Sequence, residues 1–206
     1  MSGYSTQFKS VYLIRHGEAE SNVERVYASY PEEARLYHLT DTGRSQVAEL
    51  CTRLQGEDVG TIMFTSPLTR TIETTQIIQR TTATPVMIDN RIRETDFGPL
   101  NNSPYLSTDT HGLDSENIGE IRRQTLGARA AKGAETIDSV RARCEEFLKD
   151  IAPLFGGETV YIVAHADSIQ QLCSLLVGSS VDESLLWYPS RAQCRVVATD
   201  GSIRNV

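Results

Sequence analysis

No apolar run in this 206-residue chain approaches the roughly 20 residues needed to span a bilayer, and the opening Met1 to Ser10 lacks the apolar stretch of a secretory leader. Lysine is scarce, three residues against 17 arginines, and acidic residues outnumber basic ones 27 to 20 for a net charge of −7. Such a surface repels nucleic acid and anionic membranes, so neither is expected as a partner. The four cysteines, Cys51, Cys144, Cys173 and Cys194, are far apart and form no C-x-x-C pair, which argues against a zinc site and a disulfide framework. Cys51 continues the face begun by Val47 and Leu50, and Cys173 neighbours Leu172 and Leu176, so these read as small buried apolar side chains. Together these absences point to a cytoplasmic protein.

What is present suits one globular domain over residues 1–206, with 39% hydrophobic and 23% charged residues. Val11 to Ile14, Thr61 to Thr65 and Val160 to Ala164 read as buried strands, with Val86 to Ile88 and Arg195 to Ala198 as weaker ones. Helical spacing lies between them. Thr40 caps a helix through Val47, Leu50, Cys51 and Leu54 that ends near Gly56. Ser66-Pro67 supplies a cap and a first-turn proline for a helix through Ile72 and Ile77. Further helices are expected over Thr136 to Leu154 and from about Asp167 to Val177.

Strands alternating with helices predict a three-layer α/β/α sandwich on a mostly parallel central sheet, with functional loops at the strand carboxyl ends. The stretch from Thr95 to Ala134 breaks the alternation with several glycines, two prolines and a modest helical pattern over Ile118 to Leu126, and reads as an irregular lid insertion.

The first strand runs into Arg15-His16-Gly17, the strand over Thr61 to Thr65 is followed by Arg70 within the first turn of its helix, and another strand ends at His165. Two arginines and two histidines at strand ends form a constellation suited to holding a phosphoryl group without a metal ion. Arginine favours this use because its guanidinium is a rigid fork of donors.

The ordered motifs resemble the histidine phosphatase superfamily, also called the phosphoglycerate mutase-like family. They are Arg15-His16-Gly17 with Asn22, Leu39-Thr40 with Gly43 and Gln46, Ser66-Pro67-Leu68 with Arg70-Thr71 and Thr74, Arg93-Glu94 with Phe97-Gly98, and His165. The resemblance implies a phosphomonoester hydrolase needing no metal and no cofactor, with His16 as nucleophile and Glu94 as proton donor. It further implies that Arg15, Asn22, Arg70 and His165 bind the phosphoryl oxygens, His165 also counting as catalytic. A phosphorylated small molecule or a phosphoprotein is the implied substrate. A cofactor-dependent phosphoglycerate mutase and a catalytically silent interaction domain are the competing readings.

Other residues draw plainer expectations. His38 and His111 match no family position and read as structural. Glu18 and Asp96 are carboxylates beside key positions that read as solvated loop residues, with proton donation behind Glu94 as the lesser alternative. Arg122-Arg123 reads as a solvated helix face, and Trp187-Tyr188-Pro189 as local packing. Two departures from the family pattern follow His165: Ala166 replaces the common glycine, and Asp167 brings negative charge toward an anion pocket.

Overall fold

A computed structural model describes residues 3–29, 36–110 and 117–206. Its strands are β1 (Ser10–Arg15), β2 (Ile62–Thr65), β3 (Val86–Ile88), β4 (Thr159–Ala164), β5 (Cys194–Ala198) and β6 (Ile203–Asn205). They form one sheet in the order β3-β2-β4-β1-β5-β6. Strands β1 to β4 pair in parallel, whereas β5 runs antiparallel to both β1 and β6. The mostly parallel sheet is therefore as expected. Edge strand β6 carried no sequence signal, since Ile203, Arg204 and Asn205 are all exposed and bury no apolar face.

The apolar runs of β1 and β4 are continuous because helices cover both faces of the sheet. On one side Val11, Leu13, Val160 and Ile162 pack with α5 (Ile137–Ile151) and α6 (Ala166–Val177) through Phe147, Leu148, Leu172 and Leu176. On the other, Tyr12, Ile14, Tyr161 and Val163 pack with α2 (Asp41–Leu54) and α3 (Thr69–Thr82) through Val47, Leu50, Leu54 and Ile78. Side chains alternate between the two clusters along each strand, which gives the three expected layers. All four cysteines are buried.

Thr40 caps α2 as anticipated, its hydroxyl accepting from Gly43 N at 3.0 Å. Helix α3 departs from expectation: it begins at Thr69 with Leu68 in extended conformation at its N-cap, so neither Ser66 nor Pro67 starts it. The Ser66 hydroxyl is engaged by a histidine instead. Helix α5 stops at Ile151, short of Leu154, whose side chain is 74% exposed and offers no packing to extend the helix.

The segment between β3 and α5 carries short 3-10 turns at Asn90–Ile92, Gly98–Leu100 and Ser107–Thr110, then α4 (Ile118–Ala130). Together with the short α1 (Glu20–Glu24) it walls the carboxyl end of the sheet. Helix α7 (Val181–Ser184) follows α6. Among the described residues, no helix is long and apolar enough to cross a membrane.

Candidate active site

The carboxyl ends of β1, β2 and β4, adjacent in the sheet, bring the predicted residues together. Arg15 is the last residue of β1, and His16 follows where the chain turns against α2. That turn demands glycine on both sides: a Cβ on Gly17 would sit 2.5 Å from Gly43 O, and one on Gly43 2.0 Å from Glu18 O. The Gly17 N–H donates to Thr74 Oγ1 at 3.2 Å, tying the turn to α3.

His16 is 2% exposed, and its Nδ1 lies 2.7 Å from its neighbour's carbonyl, Gly17 O. A carbonyl only accepts, so this contact puts the proton of the neutral ring on Nδ1 and the lone pair on Nε2. Arg70 Nε donates to that Nε2 at 3.2 Å, and Arg70 Nη2 donates to Ala28 O at 2.9 Å. Arg70 is a buried residue of α3, not the solvated one its isolated position would suggest. Arg15 is fixed from the opposite side, donating through Nη1 to Pro189 O at 2.6 Å while its guanidinium lies 5.0 Å from the Tyr188 ring centroid.

His165 caps α6, and its ring centroid is 5.1 Å from that of His16. Its Nε2 meets Ser66 Oγ at 2.7 Å, and its Nδ1 has no hydrogen-bond partner among the described residues. Burial, then the charges of Arg70 and Arg15, holds the His16 pKa well below the usual imidazole value. Burial and Arg70 do the same for His165. Burial in turn lowers the Arg70 guanidinium to about 10.

Glu94 lines the same cleft as His16, 9% exposed, with Oε1 accepting from Thr95 N at 3.0 Å. Burial and the charge of Asp167 raise its pKa above the ordinary carboxylate value, although Arg70 pulls the other way. Asn22 also lines the cleft, but its Oδ1 is committed to α1, accepting from Ala19 N at 3.0 Å. The two other carboxylates are occupied elsewhere. Glu18 accepts from Thr40 Oγ1 at 2.9 Å and from Arg191 Nη1 at 3.2 Å, and Asp96 accepts from Gly98 N at 2.9 Å. His38 is half-exposed and pairs with Glu73 at 2.8 Å, in keeping with a structural role, and His111 lies outside the described residues. Among the described residues, no three His, Cys, Asp or Glu side chains cluster as a metal site.

Several site residues escaped sequence reasoning. Arg143 of α5 donates through Nη1 to the carbonyls of Arg91 at 2.6 Å and Arg93 at 2.8 Å, and through Nη2 to Glu94 O at 3.0 Å. Its one signal was a charge adjoining Cys144 on an otherwise apolar helix face. Arg122 corrects the solvated-face expectation: its side chain is 4% exposed and forms an ion pair with Asp167. Arg123, its neighbour, does face solvent, with Asp182 at 2.8 Å. The reason is phase, since α4 turns Arg122, Thr125 and Arg129 inward together. Tyr188 lines the cleft as well, beyond the local packing expected of it.

The chain is similar to known proteins. The model of the histidine phosphatase superfamily (branch 1) matches residues 11–203. Phosphoglycerate mutase-like protein 4 of Arabidopsis thaliana is 27% identical over 174 residues, covering 80% of this chain and 70% of that protein. The solved structure of Bacillus stearothermophilus YhfR superposes with a TM-score of 0.74 at 24% identity, covering 96% of this chain and 95% of the other. The α-ribazole phosphatase of Shigella flexneri gives 0.73 at 21% identity, covering 91% and 89%. The chain belongs to the histidine phosphatase superfamily.

Proposed function

We propose that this member of the superfamily is a phosphomonoester hydrolase that works through a phosphohistidine on His16 and requires no metal ion. One observation carries the reading: the His16 Nδ1 contact with Gly17 O leaves Nε2 as a lone pair in a ring kept neutral, with Arg70 Nε 3.2 Å away. A phosphoryl group entering beside that nitrogen would draw the Arg70 donor onto its own oxygens and free the lone pair. Arg15 would hold a second oxygen, and the unpartnered Nδ1 of His165 would hold a third. Phosphoryl transfer spreads charge over three equatorial oxygens, so catalysis rests largely on such preplaced donors.

In the first step His16 Nε2 bonds to phosphorus as the bond to the ester oxygen breaks. Glu94, whose protonated form burial favours, gives its proton to the leaving oxygen. In the second, water attacks phosphorus, its proton passes to the Glu94 carboxylate, and the phosphorus–nitrogen bond breaks to restore the lone pair. Inorganic phosphate leaves and Glu94 is again an acid. Asn22 would act through its amide nitrogen, the donor that remains once its carbonyl oxygen has accepted from Ala19 N.

The test is para-nitrophenyl phosphate hydrolysis with excess chelator, beside His16→Ala and an acid-quenched digest analysed for phosphohistidine by mass spectrometry. Chelator-resistant turnover, lost in the variant and accompanied by phosphate on His16, is the expected result. Wild-type turnover that survives His16→Ala would overturn it. The Arabidopsis relative named mutase-like favours a second reading, phosphoryl transfer between hydroxyls of one substrate. It predicts isomerised phosphoglycerate in place of released phosphate.

A further inference from the structure

Beyond the phosphoryl-binding end, the cleft is walled by two buried arginines of α4, Arg122 and Arg129, and by two carboxylates, Asp109 and Asp167. Asp167 pairs with both guanidiniums. Its Oδ1 receives Arg122 Nη2, its Oδ2 receives Arg129 Nη1 at 3.2 Å, and Thr95 Oγ1 donates to the same Oδ2 at 2.7 Å. The second nitrogen pair of Arg129 is spent on Asp109, at 2.6 and 3.4 Å. All four charged side chains are at most 9% exposed, so the network is dry and its charges act at short range.

We propose that Asp167 is a specificity-determining residue, a built-in carboxylate that fills the Arg122–Arg129 fork and so selects phosphomonoesters whose alcohol portion is uncharged. This deepens the proposed hydrolase reading and rests on it. The charge count behind it is simple: two guanidiniums face two carboxylates, leaving no net charge to attract a second anionic group of the substrate. A substrate carboxylate entering there would meet the Asp167 carboxylate as a like charge in a low-dielectric wall, at a cost that a hydroxyl group does not incur. The remaining walls suit an uncharged, hydroxyl-bearing group, since Asn22, Tyr105 and Tyr188 offer polar edges and Phe97 an apolar one. Arg25 stands exposed on the outer rim, where solvent and salt screen its charge. Arg191, also on the rim, is paired with Glu18.

Glycerol 3-phosphate and 3-phosphoglycerate form a matched pair that differs at one carbon, a hydroxymethyl against a carboxylate. Their inhibition constants against para-nitrophenyl phosphate hydrolysis are to be measured for wild type, Asp167→Asn and the double variant Asp167→Asn with Arg122→Gln. Wild type should bind the glycerol ester about tenfold or more tightly than the acid. Asp167→Asn should narrow or invert that ratio by about tenfold, and the double variant should remove the gain. Because Asp167 also faces Glu94, the single variant is expected to change turnover of every substrate, so the ratio is the readout. Equal binding of the pair by wild type, or tighter binding of the acid, overturns the proposal without any variant having to fold. A ratio unmoved in a cooperatively unfolding Asp167→Asn overturns it too. Absent para-nitrophenyl phosphate turnover by wild type instead counts against the hydrolase reading, which separates the two failures.

Discussion

Ser66 Oγ lies 2.7 Å from His165 Nε2, across the junction of β2 and β4. The same hydroxyl oxygen accepts from Leu68 N at 3.4 Å and still has its own proton to give to the imidazole. A neutral His165 ring that accepts at Nε2 must carry its hydrogen on Nδ1, the nitrogen without a partner among the described residues. With Ser66 as the donor, the serine turns the histidine into a donor of defined orientation. Ser66→Ala should preserve the fold and lower kcat for para-nitrophenyl phosphate about tenfold, the worth of one oriented hydrogen bond of about 1.4 kcal/mol. An unchanged kcat would place the orientation of His165 in its α6 cap.

The frame and the inner site were readable because their signals are local. Val11 to Ile14 and Val160 to Ala164 are apolar without interruption, and Arg15, His16 and His165 stand directly after them. Arg143, Ser66 and the Arg122–Asp167 pair were not, because each acts on a partner far away in sequence, 49 residues in the case of Arg143 and Glu94. A helical arginine looks the same in sequence whether solvent or a buried carboxylate receives it. Arg122 and Arg123 are neighbours with opposite fates, and only the rotation of α4 against α6 decides between them.

The pH profile follows from two groups with opposite starting states. His16 must begin unprotonated, and burial with Arg70 holds its pKa well below 6.5, so kcat/KM should not fall as pH drops through the usual imidazole range. Glu94 must begin protonated, and burial with Asp167 raises its pKa above 4.5, so activity should decline as pH rises through that raised value. Glu94→Gln should lose about 10²-fold or more in kcat and abolish the alkaline limb. Persistence of that limb in the variant would assign it to another group.

Stability should follow the histidines with a defined sign. His16 and His165 are buried neutral, their folded pKa values depressed below 6.5, so the unfolded chain binds more protons once pH falls below that value. Their contribution is complete above pH 6.5 and is lost as pH falls through the window down to the folded values. Thermal unfolding of wild type should therefore weaken between about pH 7 and pH 5. His165→Asn should show a shallower slope there, and an identical slope would refute the linkage.

Arg143 joins α5 to the turn that carries Glu94, with three backbone carbonyls and the Glu135 carboxylate on one guanidinium. Arg143→Lys keeps the charge but replaces a planar fork by a single ammonium that cannot serve partners in several directions. It should cost about 2–4 kcal/mol in stability and reduce kcat more than it raises KM, because the acid is displaced while the phosphoryl donors stay. Urea unfolding and steady-state kinetics on the same sample would test both. A variant that loses stability with kcat intact would limit Arg143 to a structural role.

Two glycines to alanine should move in opposite directions. At Gly43 a Cβ would stand 2.0 Å from Glu18 O and 2.8 Å from Glu18 N, both backbone atoms of the turn after His16. Neither can yield by rotating a side chain, so Gly43→Ala must push α2 away from the turn or shift His16 itself. Displacement of a nucleophile by about 1 Å is enough to cost on the order of 10²-fold in rate. Gly127 lies inside α4, exposed, with nothing within 4 Å of its added Cβ. There alanine removes backbone freedom from the unfolded chain and meets no obstacle, so Gly127→Ala should stabilise by about 0.4–1 kcal/mol. The same chemical change thus separates a glycine required by close approach from one that is merely tolerated in a helix. Thermal unfolding and kcat of the two variants read the contrast directly, and an active, stable Gly43→Ala would show that the His16 turn can relax where the backbone contacts say it cannot.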